Sequence, residues 1–164
     1  MRDRLAAALM IAATLALLAA LPGWRMTDAP PPDAFAEAPD DFLARAEAFA
    51  ARHATGDEAG GMPVVAPPPG DVPVVARRFQ FWPALVLRTG TAYRLHVASV
   101  DSVHTLAIDG HEYLLVPGQT RVIELTPRVA GPLPLQCGEY CGLGHNGMRG
   151  AVTARDGGAP PAAR

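Results

Sequence analysis

The chain has no lysine; all 14 of its basic residues are arginine, which reads as base-composition bias of the coding sequence and carries no functional weight. It has only two cysteines in 164 residues, too few for a disulfide framework. Net charge is only −2, which excludes an overall bias toward nucleic acid. The charge is unevenly spread: residues 26–71 carry two Arg against nine acidic residues, whereas 72–156 carry eight Arg against six. No internal repeat is evident, and no convincing helical pattern occurs after Val72. The length suits one domain with an appendage rather than two full domains.

One absence is local. Between Arg4 and Arg25 no side chain is charged, and Leu5 to Leu21 is apolar apart from Thr14. That run is near the lower limit for a spanning helix and long for the core of a signal peptide. No clean A-x-A cleavage site follows it, Pro22-Gly23 closes it, and Trp24 suits a bilayer interface. Residues 1–25 therefore read as a retained membrane anchor rather than a cleaved signal. Arg2 and Arg4 keep the N-terminus cytoplasmic and send the remainder to the periplasm or outer face. With no ionisable group inside it, the anchor offers no proton path.

Residues 26–71 are expected as a Pro- and acid-rich linker with one short amphipathic helix, DDFLARAEAFAARH, capped by Asp40 or Asp41 and stopped at Gly56. A solvated helix is the expectation there. The domain proper is expected at 72–156, with a flexible tail at 157–164. Its texture is mainly β: VPVVARRFQF, TAYRLHVAS, VHTLAI, QTRVIEL and MRGAVTA are β-branched or aromatic segments divided by Gly, Pro and Asp. Tyr93, Leu95 and Val97 alternate with Arg94, His96 and Ala98, as in a half-buried strand. Five to eight strands in a compact antiparallel sandwich are predicted.

Both cysteines fall in QCGEYCGLGHNGM, which reads C-x3-C-x3-H-x2-M from Cys137 through Cys141 and His145 to Met148. Thiolate, imidazole and thioether form a soft-to-borderline donor set that favours copper over hard cations. His104, 33 residues before Cys137, is the best second imidazole. A disulfide between Cys137 and Cys141 is chemically allowed outside the cytoplasm but leaves His145 and Met148 without a role. A zinc site of two Cys and two His usually has closer thiols and no methionine. A mononuclear blue-copper site leaves one thiol over. Two thiolates bridging two copper ions use every donor.

The loop, together with VARRFQFWP, SVDSVHTLAIDG and LVPGQT, resembles the dinuclear CuA domain of subunit II of haem–copper cytochrome c oxidases, over residues 72–155. The resemblance implies a cupredoxin-like Greek-key β-sandwich with one N-terminal transmembrane helix, closer to single-anchor oxidases than to those with two helices. It implies two copper ions held by His104, His145, Cys137, Cys141, Met148 and the backbone carbonyl of Glu139. It further implies magnesium through the Glu139 carboxylate at the face toward subunit I, and an aromatic patch (Phe79, Phe81, Trp82) where the donor's electron enters. In this reading the chain is a redox relay and the enzyme is the assembled oxidase. It takes electrons from a soluble cytochrome c or small copper protein and passes them to haem in subunit I, which reduces oxygen. Its expected partners are that subunit, the donor and membrane lipid. Alternatives are the CuA subunit of a nitric-oxide reductase, or a periplasmic copper chaperone or carrier. Arg77 and Arg78 are expected as a solvated strand edge. His96 and His111 are expected as structural or exposed residues.

Overall fold

A computed structural model describes residues 2–24 and 32–157, apart from the side chains of Asp3 and residues 21–24. The chain divides into two units, 1–30 and 31–164. Arg25 of the expected anchor, residues 26–31 of the expected linker, the Trp24 side chain and the tail beyond Gly157 lie outside the described residues.

The first unit is helix α1 (Arg2–Trp24). Leu5, Leu9, Met10, Ile11, Leu15, Leu17 and Leu18 are exposed on it, and the Thr14 hydroxyl donates to the Met10 carbonyl at 2.9 Å. Among the described residues no helix is long and apolar enough to cross a membrane.

The second unit is mainly β. After strand β1 (Ala34–Ala36) come helix α2 (Pro39–His53), β2 (Ala54–Ala59), β3 (Met62–Val65) and β4 (Gly70–Arg77). Then follow β5 (Gln80–Arg88), β6 (Tyr93–Ser99), β7 (His104–Ile108) and β8 (His111–Leu115). Finally come β9 (Gln119–Leu125), β10 (Gly131–Gln136) and β11 (Arg149–Arg155). The strands run β1-β9-β6-β4-β5-β11-β10-β7-β8, with β3 also joined to β5 and β2 to β3. The sheet curls until β8 meets β9. The expected sandwich was antiparallel; the sheet is mixed, because β4–β6, β5–β11 and β3–β5 are parallel pairs.

Three expectations need correction. The segment VPVVARRFQF is not one strand: β4 turns into β5 through Arg78-Phe79, with Arg77 paired to Gln80. A two-residue turn usually carries Gly or Asn, and this one has neither. Contacts from elsewhere hold it, as described below. Second, β10 was absent from the segments read as strands; it contains Pro132 and Pro134, which remove backbone donors from the same side of the strand. It pairs with β11 over six positions but meets β7 only at Gln136↔Ala107.

Third, residues 34–71 belong to the folded unit rather than to a linker. β1 pairs with β9, and β3 extends the sheet beside β5. Phe42, Ala46 and Ala50 of α2 are buried; Phe42 and Ala46 pack with Val75 and Ala98. That contact explains why Ala98 is buried although strand alternation points it away from Tyr93, Leu95 and Val97. The helix starts after Ala38 without a side-chain cap, Asp40 and Asp41 lie in its first turn, and it ends at His53 rather than Gly56.

Glu37 ties this covering segment down. Arg45 donates to it through Nε (3.0 Å) and Nη2 (2.8 Å), and the buried Thr120 hydroxyl donates at 2.6 Å. Burial works to raise the Glu37 carboxyl, but Arg45 and Thr120 outweigh it and hold the pKa below its ordinary 4.5. A depressed carboxylate contributes stability that is present above its unfolded value and lost as pH falls through its folded one. Urea midpoints should therefore fall below pH 4.5, and Glu37→Gln should flatten that acid limb.

Candidate metal centre

The chain between β10 and β11 forms a closed loop. Gln136 and Arg149 pair across its mouth, and the Cys137 N–H donates to the Met148 carbonyl at 3.2 Å. His145–Gly147 is one turn of 3-10 helix, so His145 and Met148 double back toward the cysteines. Gly142 (φ 132°) and Gly144 lie beneath the Phe79 ring. A Cβ on Gly144 would fall 2.4 Å from that ring, so only glycine admits this approach.

His104 opens β7, beside the strand that ends at Gln136, and this carries it to the loop. Cys137 Sγ lies 3.8 Å from His104 Nδ1 and 3.2 Å from the Glu139 carbonyl. Cys141 Sγ lies 3.8 Å from His145 Nδ1 and 3.6 Å from Met148 Sδ. The donor atoms of His104, Cys137 and Cys141 all fall within 4.8 Å of one another. The six groups named from the sequence thus converge. His104 and Met148 are 0 % exposed, Cys137 1 % and Cys141 6 %, and the three sulfurs form part of the main hydrophobic core. Both thiols are free. Burial pushes the Cys141 thiol up, and the neighbouring Cys137 sulfur adds to the rise. A cation brought among these sulfurs would displace their protons.

The surrounding residues are more organised than the sequence suggested. Asp101 Oδ1 lies 2.8 Å from His104 Nε2 and accepts the Ser102 N–H at 2.7 Å, while Oδ2 accepts the Arg78 N–H at 2.8 Å. Burial works to raise the Asp101 carboxyl, but these donors hold it below its ordinary value. A carboxylate on the far nitrogen of a ligating imidazole fixes its tautomer and leaves Nδ1 facing Cys137. Arg78 Nε donates to the Cys141 carbonyl at 2.9 Å, so Arg78 is a tie between the turn and the loop rather than a solvated edge. The Asp101-x-x-His104 spacing was the available signal for the first contact. Nothing in the sequence marked the second.

The aromatic trio separates. Phe79 is half-exposed over the loop, whereas Phe81 is fully buried and offers no surface, because β5 turns it into the core. Trp82 is half-buried with the Arg77 guanidinium 5.8 Å above its ring. Tyr140 and Leu143 stand exposed on the loop itself, Leu143 completely. Glu139 has an exposed side chain, and His111 is exposed with Nδ1 on the Asp109 carbonyl at 3.0 Å. His96 is half-buried against Asp71.

Solved structures similar to this one include the periplasmic domain of cytochrome oxidase subunit II (CoxB) of Bradyrhizobium japonicum. The match has 16% identity and a TM-score of 0.49, over 53% of this chain and 84% of that one. A haem-copper terminal oxidase dimer includes a chain similar at 18% identity and TM-score 0.49, over 94% of this chain and 98% of that one. His143Met rusticyanin is similar at 18% identity and the same TM-score, over 74% and 97%. No family model matches the sequence, and no curated protein matches it.

Proposed function

We propose that this chain is the CuA-bearing subunit II of a haem–copper oxidase, held to the membrane by α1 with its β unit on the periplasmic or outer face. The observation that carries the reading is the convergence of His104, Cys137, Cys141, His145, Met148 and the Glu139 carbonyl in one cluster, of which His104 and the three sulfur residues are buried. The donor chemistry fits copper. Two thiols, two imidazoles and a thioether, set among Leu and Phe side chains, suit a soft ion and no hard one. Cys137, Cys141, His104, His145, Met148 and the Glu139 carbonyl would together hold two copper ions. When bound, such a copper pair supplies a one-electron redox centre.

The protein's own part is to hold the donors still and dry. Asp101 orients His104, Arg78 fixes the Cys141 peptide, and Phe79 roofs Gly142 and Gly144. The core excludes water from the sulfurs, and a rigid, dry donor set keeps reorganisation on electron transfer small. Phe79, Tyr140 and Leu143 give the loop an apolar outer surface on which a cytochrome c or small copper protein would dock. The Glu139 side chain is exposed, and in this reading its carboxylate would contribute to a magnesium site at the face toward subunit I. Haem and oxygen chemistry belong to that partner. The anchor reading rests on the uncharged sequence run from Leu5 to Leu21.

Copper loading of the full chain tests this. Two coppers per chain, with EPR hyperfine structure from one electron shared by two equivalent nuclei, are expected. One copper, or tightly held zinc, would overturn the reading.

A further inference from the structure

Outside the donor set, a polar chain runs from the surface to the bend between the two cysteines. Thr105, directly after His104 on β7 and 7 % exposed, donates its hydroxyl proton to Glu112 Oε1 on β8 at 2.7 Å. The Thr105 hydroxyl oxygen in turn accepts the Gly138 N–H at 2.8 Å. A hydroxyl has one proton to give. Because Glu112 takes it, the Thr105 oxygen is left facing Gly138 as an acceptor, so the carboxylate sets the polarity of the contact. Gly138 makes room for this arrangement: a Cβ there would lie 2.0 Å from Glu112 Oε1 and 3.0 Å from the Thr105 hydroxyl. Gly138 stands between Cys137 and Glu139, whose sulfur and carbonyl are 3.2 Å apart.

We infer that Thr105 and Glu112 are positioning residues for the Cys137–Glu139 bend, fixing the sulfur and the carbonyl in place and setting a negative charge beside the centre. The inference rests on the copper reading for its electrochemical consequence, but its structural part stands without metal. Neither residue touches the six donors. Thr105 acts through the Gly138 amide, and Glu112 acts through Thr105.

The test uses the full chain and three variants, Thr105→Val, Thr105→Ser and Glu112→Gln. In the metal-free protein, Thr105→Val should speed hydrogen exchange at the Gly138 amide about 5- to 10-fold, the worth of one ordinary hydrogen bond. Thr105→Ser should restore protection. In the copper-loaded protein, Thr105→Val should surrender copper to a chelator about 10- to 100-fold more readily. Glu112→Gln keeps an acceptor for the hydroxyl but removes the charge, so copper should stay bound while the reduction potential rises. Unchanged exchange in Thr105→Val, or an unchanged potential in Glu112→Gln, would overturn the inference. If Thr105→Val does not fold, Thr105→Ser and Glu112→Gln decide it by the same readings. A wild-type chain that takes up no copper pair would sink the oxidase reading instead, and the exchange rates would still decide the positioning role.

Discussion

Cys141→Ser is expected to abolish the two-copper form and to leave a weak, single-metal site at most. Cys137→Ser should also lose one copper, but it should keep the other more firmly. The asymmetry follows from which neighbours each sulfur touches. Cys141 faces His145 at 3.8 Å and Met148 at 3.6 Å, so with Cys137 removed a thiolate, an imidazole and a thioether remain in contact, with His104 close by. That remainder approaches the two-His, one-Cys, axial-Met set of a mononuclear blue-copper site. With Cys141 removed, Cys137 keeps only His104 and the Glu139 carbonyl as near neighbours. Metal counts and EPR spectra of both variants check this. The wild-type pattern of two equivalent nuclei should disappear from each, and only Cys137→Ser should give the strong, coloured one-copper signal. Retention of two coppers by either serine variant would mean that the sulfurs do not bridge.

The second large effect concerns stability. Phe42→Ala should lower the unfolding free energy by about 3–5 kcal/mol, the usual cost of emptying a buried phenylalanine site. Phe42 is 0 % exposed and packs, with Ala46, on Val75 of β4 and Ala98 of β6. Those strands are parallel neighbours in the middle of the sheet, so few groups are free to collapse into the space left behind. Urea unfolding of the variant measures the loss. A loss well under 1 kcal/mol would return α2 to the status of a detached linker helix.

The donor loop was legible because its chemistry is local: rare residue types at fixed short spacings need no knowledge of the rest of the fold. His104 was named only as the best second imidazole, 33 residues before Cys137; the β7–β10 pairing that carries it to the loop's mouth is not visible in the sequence. The long strand β9 was legible from end to end, since QTRVIEL sits between clear breakers. What escaped notice depends on contacts between distant segments. The turn at Arg78-Phe79 has no turn residues of its own; Asp101 and the Cys141 carbonyl hold it. The amphipathic face of α2 was visible, but its partners Val75 and Ala98 were not, and so a packed helix read as a solvated one. Thr105 and Glu112 are unremarkable on their own strands and matter only where Gly138 meets them.

The mouth of the donor loop carries one more consequence. Because the Cys137–Met148 hydrogen bond and the β10–β11 ladder already bring its ends together, the chain entropy of gathering four of the five side-chain donors is settled when the β unit folds, before any ion arrives. His104, the fifth, comes from a strand inside the same sheet. On the copper reading, folding would thus precede metal capture, unlike in small zinc modules that have no structure until loaded. Twelve contiguous residues, held at a single gate, make the loop a cassette: its length and contents can change while the β framework around it stays as it is.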